Sequence, residues 1–304
     1  MTPVPDAPLR RRAVVIGLKI VGWVLSAVCV WWVLRELWTQ YFKLGQSVDF
    51  HRLAGPLVGG VGLWVGVNLC LGLIWQQGVA LLGEKVSLRA ALGLSLRVQV
   101  AKYLPGNVFH YAGRVALARR IGLTTGTAAG AALFEPVVLL LVAGIATLRI
   151  WGRLPVSFWV LPVAAGAIAL MIWSTRKLWR ERVIALRDRL QVRPRELALA
   201  GLAALGVFIL QTAMFVWIER ALAAETTRSV VATFEMVTAS WAAGFVVVGS
   251  PGGLGVREFV LTLFAPATEL GPVVLVAALT RLCAMAGDVV SLGIGLLLPL
   301  SADR

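Results

Sequence analysis

Long apolar runs separated by short polar stretches dominate this chain. A helix needs about 20 apolar residues to cross the roughly 30 Å hydrocarbon layer of a bilayer. Several runs approach that length, and they lack the polar face that a surface helix of a soluble protein carries. The pattern predicts membrane-spanning helices at about 13–34, 56–82, 128–148, 155–174, 197–218 and 272–298.

Two further apolar segments, 88–112 and 231–264, are each interrupted by a proline and a glycine. The first contains Tyr-Leu-Pro-Gly-Asn at 103–107, and the second contains Ser-Pro-Gly-Gly-Leu-Gly at 250–255. Backbone that leaves the helix at bilayer depth persists only inside protein or beside a wet cavity, because lipid cannot satisfy its polar groups. Each segment is therefore predicted to form a re-entrant pair of half-helices, and matched breaks of this kind indicate a transporter binding site.

The two breaks lie at nearly equivalent places in two halves of the chain. Aligned on Pro105 and Pro251, the halves are offset by 146 residues, close to half of the 304 residues. We therefore expect an all-α integral membrane protein. It is predicted to be a polytopic helical bundle in which two halves, 1–152 and 153–304, form a single membrane domain.

The basic residues predict inverted topologies for the two halves. Residues 175–196 hold eight arginines and lysines against three acidic residues, which places this loop in the cytoplasm by the positive-inside rule. Arg10, Arg11 and Arg12 fit the same side, so both termini are expected in the cytoplasm. The first re-entrant segment then opens from the cytoplasm and the second from outside. The first apolar run lacks a small-x-small cleavage site and is predicted to be an uncleaved anchor.

Composition narrows the class of protein and its partners. Hydrophobic residues make up 59% of the chain and the mean hydropathy is +0.85, values typical of a membrane protein. The net charge of +14 lies mostly in loops, and no nucleic-acid motif accompanies it, so attraction to anionic lipid headgroups is expected instead of nucleic-acid binding. Cys29, Cys70 and Cys283 are predicted core residues without disulfide or zinc-site spacing, and no metal or cofactor is expected.

Three charged residues fall inside the apolar run 272–298 and its counterpart 128–148: Glu135, Arg281 and Asp288. A charge near the bilayer centre is costly, so it usually faces a partner or a cavity. The offset of 146 carries Glu135 onto Arg281, and we expect these two to form a gating ion pair. Pairing of Arg281 with Glu135 or Asp288 that only fixes helix packing is the alternative.

Polar, aromatic and basic residues surround both breaks and are the predicted substrate-binding residues. A half-helix that starts at a break offers unpaired amide donors to anions, and the planar fork of arginine suits phosphate. Arg257 and Lys102 are expected to contact phosphate, with Tyr103 and Tyr111 lining the path. For Arg114, extension to the membrane interface is favoured over a role in the site. The full set is Lys102, Tyr103, Pro105, Gly106, Asn107, His110, Tyr111, Arg114, Gly252, Gly253, Gly255, Arg257 and Glu258.

These same stretches resemble a known family. KYLPGNVFHYAGR at 102–114 and PGGLGVRE at 251–258 are similar to the two signature stretches of the lysylphosphatidylglycerol synthase transmembrane-region family, and Glu135 and Arg281 look like its intramembrane charged positions. The resemblance covers essentially the whole chain. It implies a domain that moves or presents an anionic or polyprenyl-linked lipid. The family includes bacterial multiple-peptide-resistance proteins, which in full length also carry a soluble aminoacyltransferase domain. That domain is not expected here, because the sequence stops six residues after Leu298.

The expected function is that of a non-enzymatic flippase in a bacterial plasma membrane. It would handle the headgroup of an anionic phospholipid or of a polyprenyl-phosphate-linked lipid. An accessory subunit that presents lipid to a partner glycosyltransferase or other lipid-modifying enzyme would share every feature above. An integral-membrane transferase is disfavoured, because the first outer loop offers only Glu36 and Asp49, thirteen positions apart, where such enzymes usually need paired carboxylates.

Overall fold

A computed structural model describes most of the chain after residue 49. The described residues are 50–103, 109–151, 193–222, 226, 228–247, 251–253, 255–265, 270–298 and 300, together with Trp31 and Arg35. Within them the chain is helical and contains no strand. The α-helices of this part are α1 (Phe50–Leu81), α2 (Leu88–Val98), α3 (Phe109–Arg120), α4 (Thr125–Trp151), α5 (Pro194–Ala221), α6 (Val230–Val246), α7 (Val256–Leu263) and α8 (Leu270–Leu297).

The helices α1, α4, α5 and α8 are long and apolar enough to cross a membrane. They contain most of the predicted spans 56–82, 128–148, 197–218 and 272–298, each with ends displaced by a few residues. The helical membrane architecture expected from the apolar runs is therefore confirmed. The predicted span 13–34 apart from Trp31, the predicted span 155–174, Cys29 and the boundary between the two halves lie outside the described residues.

Apolar side chains cover the outer faces of these long helices. On α4, Leu141, Ile145 and Leu148 follow one another at helical spacing and are 62%, 72% and 71% exposed. On α8, Leu282 and Val289 are exposed in the same way, at 61% and 62%. A soluble protein rarely presents apolar surface of this extent, and lipid tails are its natural environment.

Both segments that contain a break are interrupted helices, as the sequence predicts. In the first, α2 passes into a 3₁₀ turn, Gln99–Tyr103, and helix resumes at α3. In the second, α6 is followed by a 3₁₀ turn, Pro251–Gly253, and then by α7. Both start with a serine cap: the Ser87 Oγ accepts from the Ala90 amide at 3.3 Å, and the Ser229 Oγ accepts from the Ala232 amide at 3.2 Å.

Glycine explains the shape of the second break. Gly252 and Gly253 have φ values of 57° and 75°, in the left-handed region that other residues adopt only with strain. This conformation stops the helix after the 3₁₀ turn, and no backbone amide of the described residues donates to the Gly252 carbonyl. Of the first break, Tyr103 is described, whereas Leu104 to Asn107 and the following Val108 are outside the described part of the chain.

The helix α8 holds the two interrupted segments together. It packs against α1, α2, α5 and α7 and against the first 3₁₀ turn, and the two 3₁₀ turns contact each other. At its end, the Arg97 Nε donates to the Gly295 carbonyl at 2.7 Å and the Arg97 Nη2 donates to the Leu298 carbonyl at 2.8 Å. Arginine thereby satisfies carbonyls that the last turn of α8 leaves unpaired.

Candidate functional site

Asp288, on α8, is surrounded by hydrogen-bond donors from the first break. The Lys102 Nζ lies 2.8 Å from its Oδ2 and 2.9 Å from its Oδ1, and the Tyr103 hydroxyl donates to its Oδ2 at 2.6 Å. The helix α1 adds the Trp64 Nε1 and the Asn68 Nδ2, each 2.9 Å from the Asp288 Oδ1. Asp288 is fully buried, and an ionised carboxylate in that position is stable only with such partners.

Arg281 lies two turns before Asp288 on the same side of α8 and faces the second break. Its Nη2 donates to the free Gly252 carbonyl at 2.7 Å, and its Nε lies 3.9 Å from the Glu258 Oε1. The guanidinium carbon is also 5.9 Å from the centre of the Tyr103 ring, which belongs to the first break. One helix therefore contacts both breaks through two charged side chains.

The predicted pairing of Glu135 with Arg281 is wrong. Glu135 forms its ion pair with Arg114, and both side chains are buried. The helices α3 and α4 follow each other through a short loop and pack together, which brings Arg114 against Glu135. The interface position favoured for Arg114 is therefore also wrong, because its exposed fraction is 0%. A gating role for Glu135, Arg281 or Asp288 stays a prediction.

Arg257, at the start of α7, forms no ion pair with any carboxylate of the described residues. Its side chain passes close to two glycines. A Cβ added to Gly244 would lie 2.5 Å from the Arg257 Cγ, and a Cβ added to Gly253 would lie 2.7 Å from the Arg257 Nε. Its guanidinium carbon lies 5.8 Å from the centre of the Trp241 ring, a cation–π distance. The Nε is buried and has no hydrogen-bond partner among the described residues.

Two small cavities adjoin Arg257. The larger, of about 70 Å³, lies between the two breaks and is bordered by residues of α1, α4, α5, α6 and both interrupted segments. The smaller, of about 50 Å³, shares Trp64, Gln211, Arg257 and Arg281 with the first. The larger cavity contacts both interrupted segments, whereas the smaller contacts only the second. Of the predicted residues, Lys102, His110, Tyr111, Glu135, Gly252, Arg257 and Arg281 border the larger cavity, and Glu258 borders the smaller.

Unpaired nitrogen atoms collect around the larger cavity. The Gln99 Nε2, the His110 Nδ1 and the Gln211 Nε2 are buried and lack a partner among the described residues. The two amide nitrogens and the Arg257 Nε are donors, so they can bond to acceptor oxygens of a ligand. Gln211 was not predicted from the sequence, because a single glutamine within the apolar run of α5 belongs to no motif.

The remaining predicted residues have mixed outcomes. Gly255, the last residue of the second break, has a φ of 79°. The His110 and Tyr111 rings lie 3.8 Å apart between centres and are tilted by 41°. Pro105, Gly106 and Asn107 lie outside the described residues. Within the described ranges no group of three histidine, cysteine or acidic side chains has the arrangement of a metal site.

Comparison with known proteins does not assign the chain to a family. No protein-family model matches the chain, and no curated protein is significantly similar to it. The resemblance to the lysylphosphatidylglycerol synthase transmembrane-region family therefore stays a prediction that rests on the two break sequences.

Proposed function

We propose that this membrane protein binds the phosphate of an anionic lipid beside Arg257 and carries the headgroup across the bilayer. The substrate is an anionic phospholipid or a polyprenyl-phosphate-linked lipid. The tails stay in lipid while the headgroup passes between the two breaks. This is the activity that the resemblance of the break sequences implies.

The charge balance of the site is the observation that supports this proposal. Four cations lie at the two cavities or beside them: Lys102, Arg114, Arg257 and Arg281. Three carboxylates lie there as well: Glu135, Glu258 and Asp288. One positive charge has no counterpart among the described residues. A buried charge without a partner is costly, so an anionic ligand would stabilise the site.

The unpaired donors favour phosphate in particular. A phosphodiester offers several acceptor oxygens and no donor, which matches the free amides of Gln99 and Gln211 and the guanidinium of Arg257. Lys102, also predicted to contact phosphate, is already paired with Asp288 in this conformation. We therefore assign the first contact with phosphate to Arg257, and Lys102 would follow only by leaving Asp288.

Transport would require the site to open. A cavity of about 70 Å³ holds a few water molecules, which is less than a complete lipid headgroup needs. In our proposal the two halves have inverted topology, the interrupted segments are re-entrant, and they separate alternately on the two sides of a bacterial plasma membrane with both termini in the cytoplasm. Such alternation around a midplane site is a common design of secondary transporters.

Lipid retention tests the binding step. We would purify the protein in mild detergent and identify bound lipids by native mass spectrometry, comparing wild type with Arg257→Ala and with Arg220→Ala. Arg220 is an exposed arginine at the end of α5 and borders neither central cavity, so its variant is the matched control. We expect retained anionic lipid in wild type and Arg220→Ala, and its loss in Arg257→Ala. Equal retention in all three proteins would refute the assignment.

Translocation needs a second measurement, because an accessory protein that presents lipid to a partner enzyme would bind it equally well. The retained lipid, carrying a fluorescent tail, is placed in liposomes containing the purified protein, and dithionite quenching reports movement between leaflets. Movement that depends on Arg257 supports a flippase. Retention of lipid without movement would support the accessory role.

A further inference from the structure

Glu258 differs from the other carboxylates of the site in how it is satisfied. It is 8% exposed, and its Oε1 lies 3.9 Å from the Arg281 Nε. Its Oε2 is buried and accepts no hydrogen bond from any described residue. Asp288, by contrast, accepts from donors on two separate elements. A buried acceptor without a donor is costly, so Glu258 indicates a donor that a ligand supplies.

The position of Glu258 relates it to the proposed phosphate site. It follows Arg257 in the chain and borders the smaller cavity, whereas Arg257 borders both cavities. The wall between the two spaces is shared by Trp64, Gln211, Arg257 and Arg281. The two cavities therefore adjoin at Arg257, and a ligand whose phosphate lies beside Arg257 would reach Glu258 by extending its next few atoms into the smaller cavity.

We infer that Glu258 accepts a hydrogen bond from a hydroxyl group on the lipid headgroup and so selects phosphodiesters with hydroxyl-bearing headgroups. This inference rests on the proposed function and specifies the substrate class of the same site. An ammonium group would also supply a donor. It would add positive charge beside Arg257 and Arg281, where one positive charge already lacks a counterpart, and the hydroxyl is therefore favoured.

Two kinds of lipid carry this chemistry: a phospholipid with a glycerol headgroup and a polyprenyl phosphate linked to a sugar. Each has a close analogue that keeps the phosphodiester and its single negative charge and lacks the hydroxyls. The analogues are phosphatidylmethanol and polyprenyl methyl phosphate. Comparing each lipid with its own analogue isolates the hydroxyl, and comparing the two pairs identifies the source of the headgroup.

The test measures the affinity of the full-length protein in detergent for phosphatidylglycerol, phosphatidylmethanol, a polyprenyl phosphate sugar and polyprenyl methyl phosphate. Because hydrogen bonds to charged groups are among the stronger ones, we expect wild type to prefer one hydroxyl-bearing lipid over its analogue by about tenfold or more. Glu258→Met, which has no acceptor oxygen, should lower that ratio to about one and leave the affinity for the analogue in place. Glu258→Gln, a neutral acceptor of the same size, should give an intermediate ratio.

Glu235→Gln is the matched control. Glu235 is equally buried, lies on α6, borders neither central cavity and pairs with Arg149, so its variant should keep the wild-type ratio. If wild type binds each lipid and its analogue equally, or if the ratio is unchanged in Glu258→Met, the inference about Glu258 is wrong. Neither result would contradict the phosphate site itself. Failure of all four anionic lipids to bind above phosphatidylcholine would refute the proposed function itself. The wild-type ratio and Glu258→Gln decide the question even if Glu258→Met does not fold.

Discussion

The basic residues beside the two breaks are held in opposite ways. At the first break, Lys102 pairs with Asp288, and that carboxylate is further bonded by Tyr103, Trp64 and Asn68. At the second break, Arg257 lies between glycines with its Nε unpaired among the described residues. The first break therefore neutralises its charge within the protein, whereas the second leaves charge for a ligand. Stability should depend mainly on the first and binding mainly on the second.

The largest effect on stability is expected for Asp288→Asn. This change leaves the partly buried Lys102 without its counter-charge, and breaking a buried pair by removing one partner costs up to about 3–5 kcal/mol. Thermal unfolding in detergent measures the loss. Adding Lys102→Met should recover part of the stability, because it removes the unpaired cation. A double variant no more stable than Asp288→Asn would show that Asp288 stabilises the protein mainly through its other donors.

Gly253→Ala should cost about 1–2 kcal/mol of unfolding free energy, because its φ of 75° strains any other residue. The added Cβ would also lie 2.7 Å from the Arg257 Nε, so the arginine must move and lipid retention should fall. The control is Gly144→Ala in α4, where nothing lies within 4 Å and alanine favours the helix by up to about 1 kcal/mol. The two substitutions are thus expected to change the melting temperature in opposite directions, and a shift of the same sign would contradict the conformational argument.

Gln211→Leu tests whether the free amide donors contact the ligand. Loss of one neutral hydrogen bond, about 0.5–1.5 kcal/mol, should weaken binding of the retained anionic lipid by roughly two- to tenfold. Thr212→Val, next along α5, is the control, because the Thr212 hydroxyl donates to the Phe208 carbonyl of its own helix and borders neither central cavity. Lipid titration monitored by native mass spectrometry distinguishes the variants. Equal affinities would exclude Gln211 from the binding site.

The smallest effect on stability is expected for Arg257→Met. Removing a partly buried cation that forms no ion pair with any described carboxylate should leave the melting temperature unchanged or raise it slightly, because no such pair is lost and a desolvation cost disappears. Lys102→Met, which leaves Asp288 without its cation, should lower the melting temperature clearly. If the two variants were equally destabilised, the contrast between the two breaks would be lost.

The fold was easier to predict than the partners within the site. Four spans follow from unbroken apolar runs, and both interruptions follow from proline and glycine, because these signals are local to the chain. The partner of Glu135 depends on which face of α3 packs against α4, and the apolar pattern of the sequence does not specify that face. The offset of 146 residues suggested Arg281 by symmetry, but the free Gly252 carbonyl and Glu258 hold Arg281 at the second break.

The Arg97 cap on α8 affects which of the two interrupted segments can move away from this helix. Arg97 and Lys102 attach α8 to the first interrupted segment at two levels, through the carbonyls of Gly295 and Leu298 and through Asp288. Toward the second interrupted segment, the polar contacts of α8 within the described part of the chain are the 2.7 Å hydrogen bond from Arg281 to Gly252 and the longer approach to Glu258. Mechanically, α8 belongs with the first segment. We expect the protein to open between α8 and the second break, beside Arg257.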